Sequence, residues 1–182
     1  MMRVLVACEF SGIVREAFTR KGHYAMSCDL LQTEIPGNHY QGDVRDILND
    51  GWDLMVAHPP CTDLCNSGAK HWRQRDEEGA LDFVAELLEC SIEKIALENP
   101  VGLISTYIRK PDQIVHPYYF GDPYKKRTCL WLKGLPLLQP TNKLENYYHF
   151  AIHRGLAQKE GKNKYRSRFW PGFAQAMAEQ WG

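Results

Sequence analysis

The chain has 182 residues, 44% of them hydrophobic, which is enough for one well-buried core and argues for one domain over residues 1–182. No stretch approaches the roughly 18 apolar residues of a membrane helix, and six cysteines behind a short apolar start with no cleavage-type segment do not read as a secreted disulfide framework. The formal net charge of zero hides an asymmetry: residues 1–124 carry 11 basic and 19 acidic side chains, residues 125–168 carry 11 and 2. The expectation is a cytoplasmic protein with reduced thiols and no membrane partner, whose basic segment suits a polyanion or forms a solvated face.

"RVLVAC" (3–8) is a short β-type run, followed by "EFSG" and a helix in which Ile13, Val14, Ala17 and Phe18 share one face, with Gly22 at its end. "HYAMSCDL" predicts a second strand ending at Asp29. A polar loop containing "IPGN" leads to "YQGDVRDIL", read as a turn at Gly42-Asp43 and a short helix. "WDLMVAHPP" is a strand stopped by Pro59 and Pro60, because proline cannot donate to a sheet ladder. Residues 77–91 have the 3.6 period of a helix lying on a sheet. "KIALENP" and "RTCLWLKGLP" complete the strands. This alternation predicts an α/β fold, a mostly parallel sheet with helices on both faces.

In such a sheet the ligand lies outside the carboxyl ends of the strands. "CEFSG", Asp29, Gly42-Asp43, "HPPC" and "ENP" all fall there. Ser11-Gly12 offers backbone N–H groups at a helix N-terminus, or an ordinary turn. Asp29 stands where a nucleotide-binding fold places an acid on ribose hydroxyls, or is a surface acid. Asp43 is an acceptor for an exocyclic amine or an Asx-turn residue. Together they suggest an adenosine-bearing cofactor.

Cys61 is the strongest single signal. Two prolines fix its backbone, and the polar run after it is unlike a core segment, so a reactive thiolate is favoured over a structural thiol. Zinc is disfavoured. Cys61 and Cys65 are spaced Cys-x3-Cys, with His58 and His71 nearby, and the zinc-deaminase pattern is absent. Glu98, arriving at the end of an apolar strand, is expected to have a raised pKa and to share a proton, or else to cap a following helix. Arg127, carried into the last strand, offers a fixed fork of donors to a carbonyl or phosphate.

In this order the motifs resemble the DNA cytosine 5-methyltransferases, from the first strand to about Lys133 and more weakly through the C-terminal helix. "EFSG" looks like the family's Phe-x-Gly cofactor loop, "PPCTDLCNSGAKHWRQRDEEGAL" like its catalytic-cysteine motif and "LENPVGL" like its Glu-Asn-Val-x-Gly motif. "PYKKRTCLWL" is similar to its Gln-x-Arg-x-Arg strand and "FWPGFAQAMAEQW" to its last helix. The resemblance implies a Rossmann-like S-adenosylmethionine-dependent methyltransferase fold. It implies Cys61, Glu98 and Arg127 as catalytic residues, and Phe10, Ser11, Gly12, Asp29, Asp43 and Pro59 as cofactor contacts.

The implied acceptor is DNA or another cytosine-containing nucleic acid, held by Lys125, Lys126, Lys162, Lys164, Arg166 and Arg168. RNA, single-stranded DNA or a free cytosine nucleotide is the alternative acceptor; a catalytically silent nucleic-acid or nucleotide binder, which would need neither Cys61 nor Glu98, is the alternative role. The chain also departs from the pattern. The acid beside the cofactor loop aligns with Cys8, with Glu9 one place along; Val14 and Arg15 replace paired glycines; Thr62 replaces a glutamine and Pro100 a valine. Only about 35 residues separate "LWLKG" from the final helix, so residues 125–168 form a reduced, basic target-recognition lobe and 169–182 a helix returning to the core. Such compact members resemble those carried by phages. Short or relaxed sequence specificity is expected, or a partner or oligomer that supplies it. Thr62 and Arg15, beside the expected pocket, also make a modified S-adenosylmethionine a candidate donor.

Overall fold

The longest apolar runs of the sequence become the central strands. In a computed structural model that describes residues 1–65, 76–149 and 168–182, the chain runs β1 (Arg3–Ala7), α1 (Ile13–Arg20), β2 (Tyr24–Asp29), β3 (His39–Gln41) and β4 (Leu54–Ala57). It continues through α2 (Glu77–Glu89), β5 (Lys94–Pro100), α3 (Ile104–Tyr107), β6 (Gln113–Val115), β7 (Tyr124–Lys125), β8 (Thr128–Lys133), β9 (Tyr148–His149) and α4 (Pro171–Trp181). Seven strands form one sheet in the order β3-β2-β1-β4-β5-β8-β6, and β7 pairs with β9 apart from it. β8 alone runs antiparallel to its neighbours; the other pairs are parallel.

Side chains alternate across each strand, and this divides the core in two. Val4, Val6, Leu54, Val56, Ala96 and Leu130 face α1 and α4, against Phe18, Phe173, Met177 and Trp181. Leu5, Ala7, Met55, Ala57, Leu97 and Trp131 face the other way, against Val84 and Leu87 of α2 and Ile104 of α3. Helices therefore cover both faces, as the alternation of runs predicts. Fully buried aliphatic side chains of this kind contribute about 1.5–3 kcal/mol each.

Two helix starts bear on the site. α1 begins at Gly12, whose φ of 77° is left-handed and where a Cβ would press on the Arg15 guanidinium. Arg15 is fully buried and donates to Ser27 Oγ (3.1 Å) and to the carbonyls of Ile35 (2.6 Å) and Pro36 (3.4 Å). It thus fastens the 30–38 loop from behind the sheet rather than entering a pocket. α4 has Pro171 in its first turn and is capped from a distance: the amides of Gly172 and Phe173 donate to the Asp122 carboxylate at 3.3 and 2.9 Å.

β3, β6 and the β7–β9 pair are not foreseen by the sequence reading. Each has three residues or fewer, too short for a period to show. The short helix expected after Gly42 is a 3-10 turn, Val44–Asp46, capped by Asp43. Among the described residues no helix is long and apolar enough to cross a membrane.

Candidate functional site

At the end of β1 the alternation breaks. Cys8 adopts a left-handed φ of 57° and packs against the same cluster as Ala7, which turns the Glu9 side chain inward. Glu9 is 4% exposed. Its Oε1 accepts from the Ser11 hydroxyl and from the Val14 amide at the start of α1 (3.2 Å), while Oε2 has no partner among the described residues. The sequence reading placed Phe10, Ser11 and Gly12 on the cofactor. Phe10 lines the cleft in front of this loop together with Glu9; the Ser11 hydroxyl donates to Glu9, a Cβ at Gly12 would meet Arg15, and neither Ser11 nor Gly12 lines the cleft. The acid one place out of the family pattern is the one that faces the cleft.

The adjoining pocket, of about 200 Å³, is lined by Cys8, Cys28, Asp29, Leu30, Val44 and Phe83, among others, with Asp43 and Arg45 at its edge. Asp29 accepts from the Leu31 amide at 2.9 Å, and burial holds its carboxyl above the ordinary value. The thiols of Cys8 and Cys28 are pushed up to about 12, chiefly by burial and then by Asp29, so both stay protonated. Asp43 caps the 3-10 turn through the Arg45 amide (3.0 Å) and pairs with the Arg45 guanidinium (3.1 Å), which also meets Glu86 at 2.8 Å and covers the Phe83 ring. The Arg45 amide first, and then the Arg45 guanidinium, hold the Asp43 carboxyl below its ordinary value against the opposing effect of burial.

A cleft of about 230 Å³ continues from this pocket, sharing Cys8, Asp29 and Pro60 with it. Cys61 lies on its wall, exposed, at the start of a single turn in which the amides of Leu64 and Cys65 donate to the Cys61 carbonyl. Cys65 is buried and bridges to Gly102, which removes the second half of the weak zinc pattern from the cleft. Two ties hold the cysteine loop to the end of β5. Asn99 Nδ2 donates to the Pro59 carbonyl at 2.8 Å, and Leu103 N donates to the Leu64 carbonyl at 2.8 Å. Gly102 permits the second tie, since any Cβ there would collide with the Leu64 carbonyl. Pro59 is buried on the same wall.

Glu98 reaches this cleft from β5 and is 8% exposed. Its Oε2 lies 3.3 Å from His58 Nδ1, and its Oε1 has no partner among the described residues. Burial pushes the carboxyl up, but Lys126 and His58 together outweigh it and leave Glu98 below its ordinary value. This corrects the expectation of a raised pKa: the strand end is buried, but the Lys126 ammonium and the hydrogen-bonded imidazole of His58 oppose the burial.

Arg127 is a second correction. It is exposed and does not line the cleft; Lys126 does, with its ammonium 4.6 Å from the Trp170 ring. Strand phase is the cause. Leu130 and Thr128 of β8 alternate onto the face that carries Glu98, and Lys126 continues that phase, whereas Arg127 falls on the side of Cys129.

Arg168 also lines the cleft and is gripped by both Glu34 oxygens, at 2.7 and 3.0 Å. Lys125 points elsewhere, over Tyr147 at 5.5 Å. Lys162, Lys164 and Arg166 lie outside the described residues. His58, Phe169 and Trp170, which complete the walls, were not assigned from sequence. Each carried a signal: His58 is the polar residue directly before the paired prolines, and Phe169 and Trp170 open the segment that resembles the family's last helix.

No protein-family model matches the chain, and no curated protein matches it. Among solved structures it is similar to the Entamoeba histolytica methyltransferase EhMeth, with a TM-score of 0.54 and 16% identity over 79% of this chain and 58% of that one. It is also similar to the S. pombe Dnmt2 methyltransferase, with a TM-score of 0.49 and 16% identity over 88% of this chain and 56% of that one. The chain has a Rossmann-like methyltransferase fold. It spans less than two thirds of the length of either neighbour.

Proposed function

We propose that the chain is an S-adenosylmethionine-dependent cytosine 5-methyltransferase acting on DNA. The observation that carries this reading is the sharing of one cleft by Cys61, on a proline-braced turn, and the buried carboxyl of Glu98, next to a second pocket walled by Asp29, Leu30, Val44 and Phe83. The residues fit the cofactor. The Glu9 Oε2, without a partner among the described residues, is an acceptor suited to a cationic amino-acid end. Asp29 is placed for ribose hydroxyls, and Leu30, Val44 and Phe83 form apolar walls for a flat base. S-adenosylmethionine bound there supplies the methyl group that ends on carbon 5 of cytosine.

The chain's own residues do the rest. The Cys61 thiolate adds to carbon 6, which moves the ring's electrons toward ring nitrogen 3 and, once that nitrogen is protonated through Glu98, makes carbon 5 nucleophilic. Lys126, on the Glu98 face, is placed to steady charge on the ring carbonyl or a neighbouring phosphate, the role expected of Arg127. The carbon-5 proton then passes to solvent, ring nitrogen 3 gives its proton back through Glu98, the sulfur–carbon bond breaks and the thiolate returns. A duplex target must first be flipped out of the stack. With few recognition residues, affinity rests on Lys/Arg–phosphate contacts and falls with salt.

The test is incubation with labelled S-adenosylmethionine and DNA, RNA or dCMP, followed by mass spectrometry of the nucleosides. The expected product is 5-methylcytosine in DNA. Cys61→Ala is expected to abolish it while calorimetry shows cofactor binding unchanged; undiminished product in that variant overturns the assignment. Label in RNA or dCMP alone reassigns the acceptor, and a mass other than methyl reassigns the donor, for which Thr62 lines the cleft and Arg15 does not.

A further inference from the structure

His58 belongs to no part of the chemistry described above, yet its position is set by the sheet. β4 and β5 are parallel with Val56 opposite Ala96 and Ala57 opposite Leu97. One residue further, His58 stands opposite Glu98, and its amide still extends the ladder by donating to the Ala7 carbonyl at 2.9 Å. Both side chains fall on the face of Val56 and Ala96. The imidazole is pinned from the other side by the Phe169 ring, 4.6 Å away between centroids. Each side chain is 11% exposed.

The hydrogen bond leaves two atoms over. Glu98 Oε1 and His58 Nε2 are buried and have no partner among the described residues. A carboxylate held at one oxygen by Nδ1–H has its other oxygen left for whatever enters the cleft, and Nε2 is the second proton-bearing atom of the ring. The electrostatics agree. Lys126 and His58 favour the carboxylate of Glu98, so a proton needed by the acceptor is not stored on that carboxyl. The other titratable and charged side chains that line the cleft with His58 and Glu98 are Cys61 from its own loop, Glu9 after β1, Asp29 at the end of β2, Lys126 before β8 and Arg168 before α4.

We propose that His58 is a positioning residue that holds, on its imidazole, the proton that Glu98 passes to the acceptor ring. This rests on the cytosine-methyltransferase reading of the same cleft. As the Cys61 sulfur–carbon bond forms, an electron pair is displaced through the ring onto its nitrogen. The Nδ1–H bond of the imidazolium breaks and a ring N–H bond forms, with the Glu98 carboxyl carrying the proton between them by turning about its terminal torsion, which has a broad two-fold profile. His58 ends neutral, Glu98 ends as carboxylate and the adduct is neutral. When the thiolate leaves, the proton returns by the same route.

The test uses His58→Asn, whose amide can donate to Glu98 from nearly the Nδ1 position but cannot carry a proton, with His58→Gln as the second variant should the first not fold. Two readouts are taken on the full chain. The first is the titration of the Glu98 carboxyl carbon by 13C NMR, identified by its absence in Glu98→Gln. It is expected to move up by about half a pH unit or more in the His58 variants. The second is kcat, expected to fall about tenfold or more with the KM for S-adenosylmethionine within about twofold.

An unmoved Glu98 titration, or a variant as fast as the native chain, overturns the role of His58 while leaving the methyltransferase reading intact. A native chain that methylates no acceptor sinks that reading instead, and the carboxyl titration then decides by itself whether the pair shares a proton.

Discussion

Glu98 and Asp29 both stand at strand ends on one continuous depression, and both lose water there, yet burial prevails at Asp29 and is overruled at Glu98. The difference lies in the neighbours. Around Glu98 are Lys126 and His58. Around Asp29 the two nearby thiols are neutral, a second carboxylate, Asp43, acts on the same thiols, and the Leu31 amide and His39 do not offset the loss of water. Depth in the protein therefore does not decide the charge state; the sign of the company does. One half of the depression stabilises an anion and so can manage the proton of an acceptor ring. In the other half Arg45 is tied up by Asp43 and Glu86, and Asp29 and the Glu9 carboxyl leave acids in excess, which suits the cationic cofactor proposed for it.

The largest expected effect separates the halves by activity. Glu98→Gln keeps the shape and loses the exchangeable proton, so methyl transfer should fall by about 10²–10⁴-fold, while calorimetric binding of the cofactor, which the proposed function assigns to the Asp29 half, stays within about twofold. A Gln variant that transfers normally would break the contrast.

Next in size is the tie that holds the acceptor half together. Asn99→Ala removes the 2.8 Å bond to the Pro59 carbonyl and leaves that carbonyl buried without its donor, at a cost of about 1–3 kcal/mol. Urea unfolding should show the loss. Activity should fall further than stability alone explains, because the Cys61 loop is no longer registered against Glu98. An unchanged midpoint would show that the Leu103–Leu64 bond suffices.

Much of the Asp29 half was readable from residue order alone. A strand ending in an acid, a Gly-Asp turn and a proline stop are local features, and each falls at the rim where a parallel sheet puts its ligand. The acceptor half was readable only in part. Cys61 and Glu98 announced themselves, but the hydrogen bond between His58 and Glu98 joins residues 40 apart, and it follows only once β4 and β5 are known to be parallel and in register. The choice of Lys126 over Arg127 has a related cause. A strand one residue out of phase exchanges its faces, and the boundary of a strand is the least legible thing about it. Glu9 was missed because the left-handed turn at Cys8 is a backbone event with no glycine to mark it.

Lys126→Met tests the charge argument directly. In the native chain the Glu98 carboxyl lies below its ordinary 4.5. It therefore contributes stability above the unfolded carboxyl value, and that contribution is lost only as pH falls through the lower folded value. Without Lys126, burial faces His58 alone and the carboxyl should move up. From about pH 7 down to about pH 4.5, the unfolding midpoint of the Met variant should then gain on that of the native chain. Parallel curves across that range would mean that Lys126 does not govern Glu98.

Asp29→Asn carries the same argument with the sign reversed and the smallest effect. The Asp29 carboxyl lies above its ordinary 3.8 because burial dominates. Its contribution is fully present below the unfolded value and is lost as pH rises through the raised folded value. At pH 7 the charged side chain is thus a mild burden on the unliganded protein. Asn keeps an oxygen for the Leu31 amide and removes the charge, so the variant should be as stable as the native chain or slightly more so, within about 0.5 kcal/mol. Below about pH 4 that advantage should vanish, since the native carboxyl is then protonated in both states. Binding should move the other way: the ionised acceptor for ribose hydroxyls is gone, so the affinity for S-adenosylmethionine should drop although the fold is no weaker. An Asn variant that is clearly less stable at pH 7, or that binds the cofactor as tightly as the native chain, would mean that Asp29 supports the end of β2 rather than a ligand, and the contrast between the two carboxyls would then have no bearing on the cofactor.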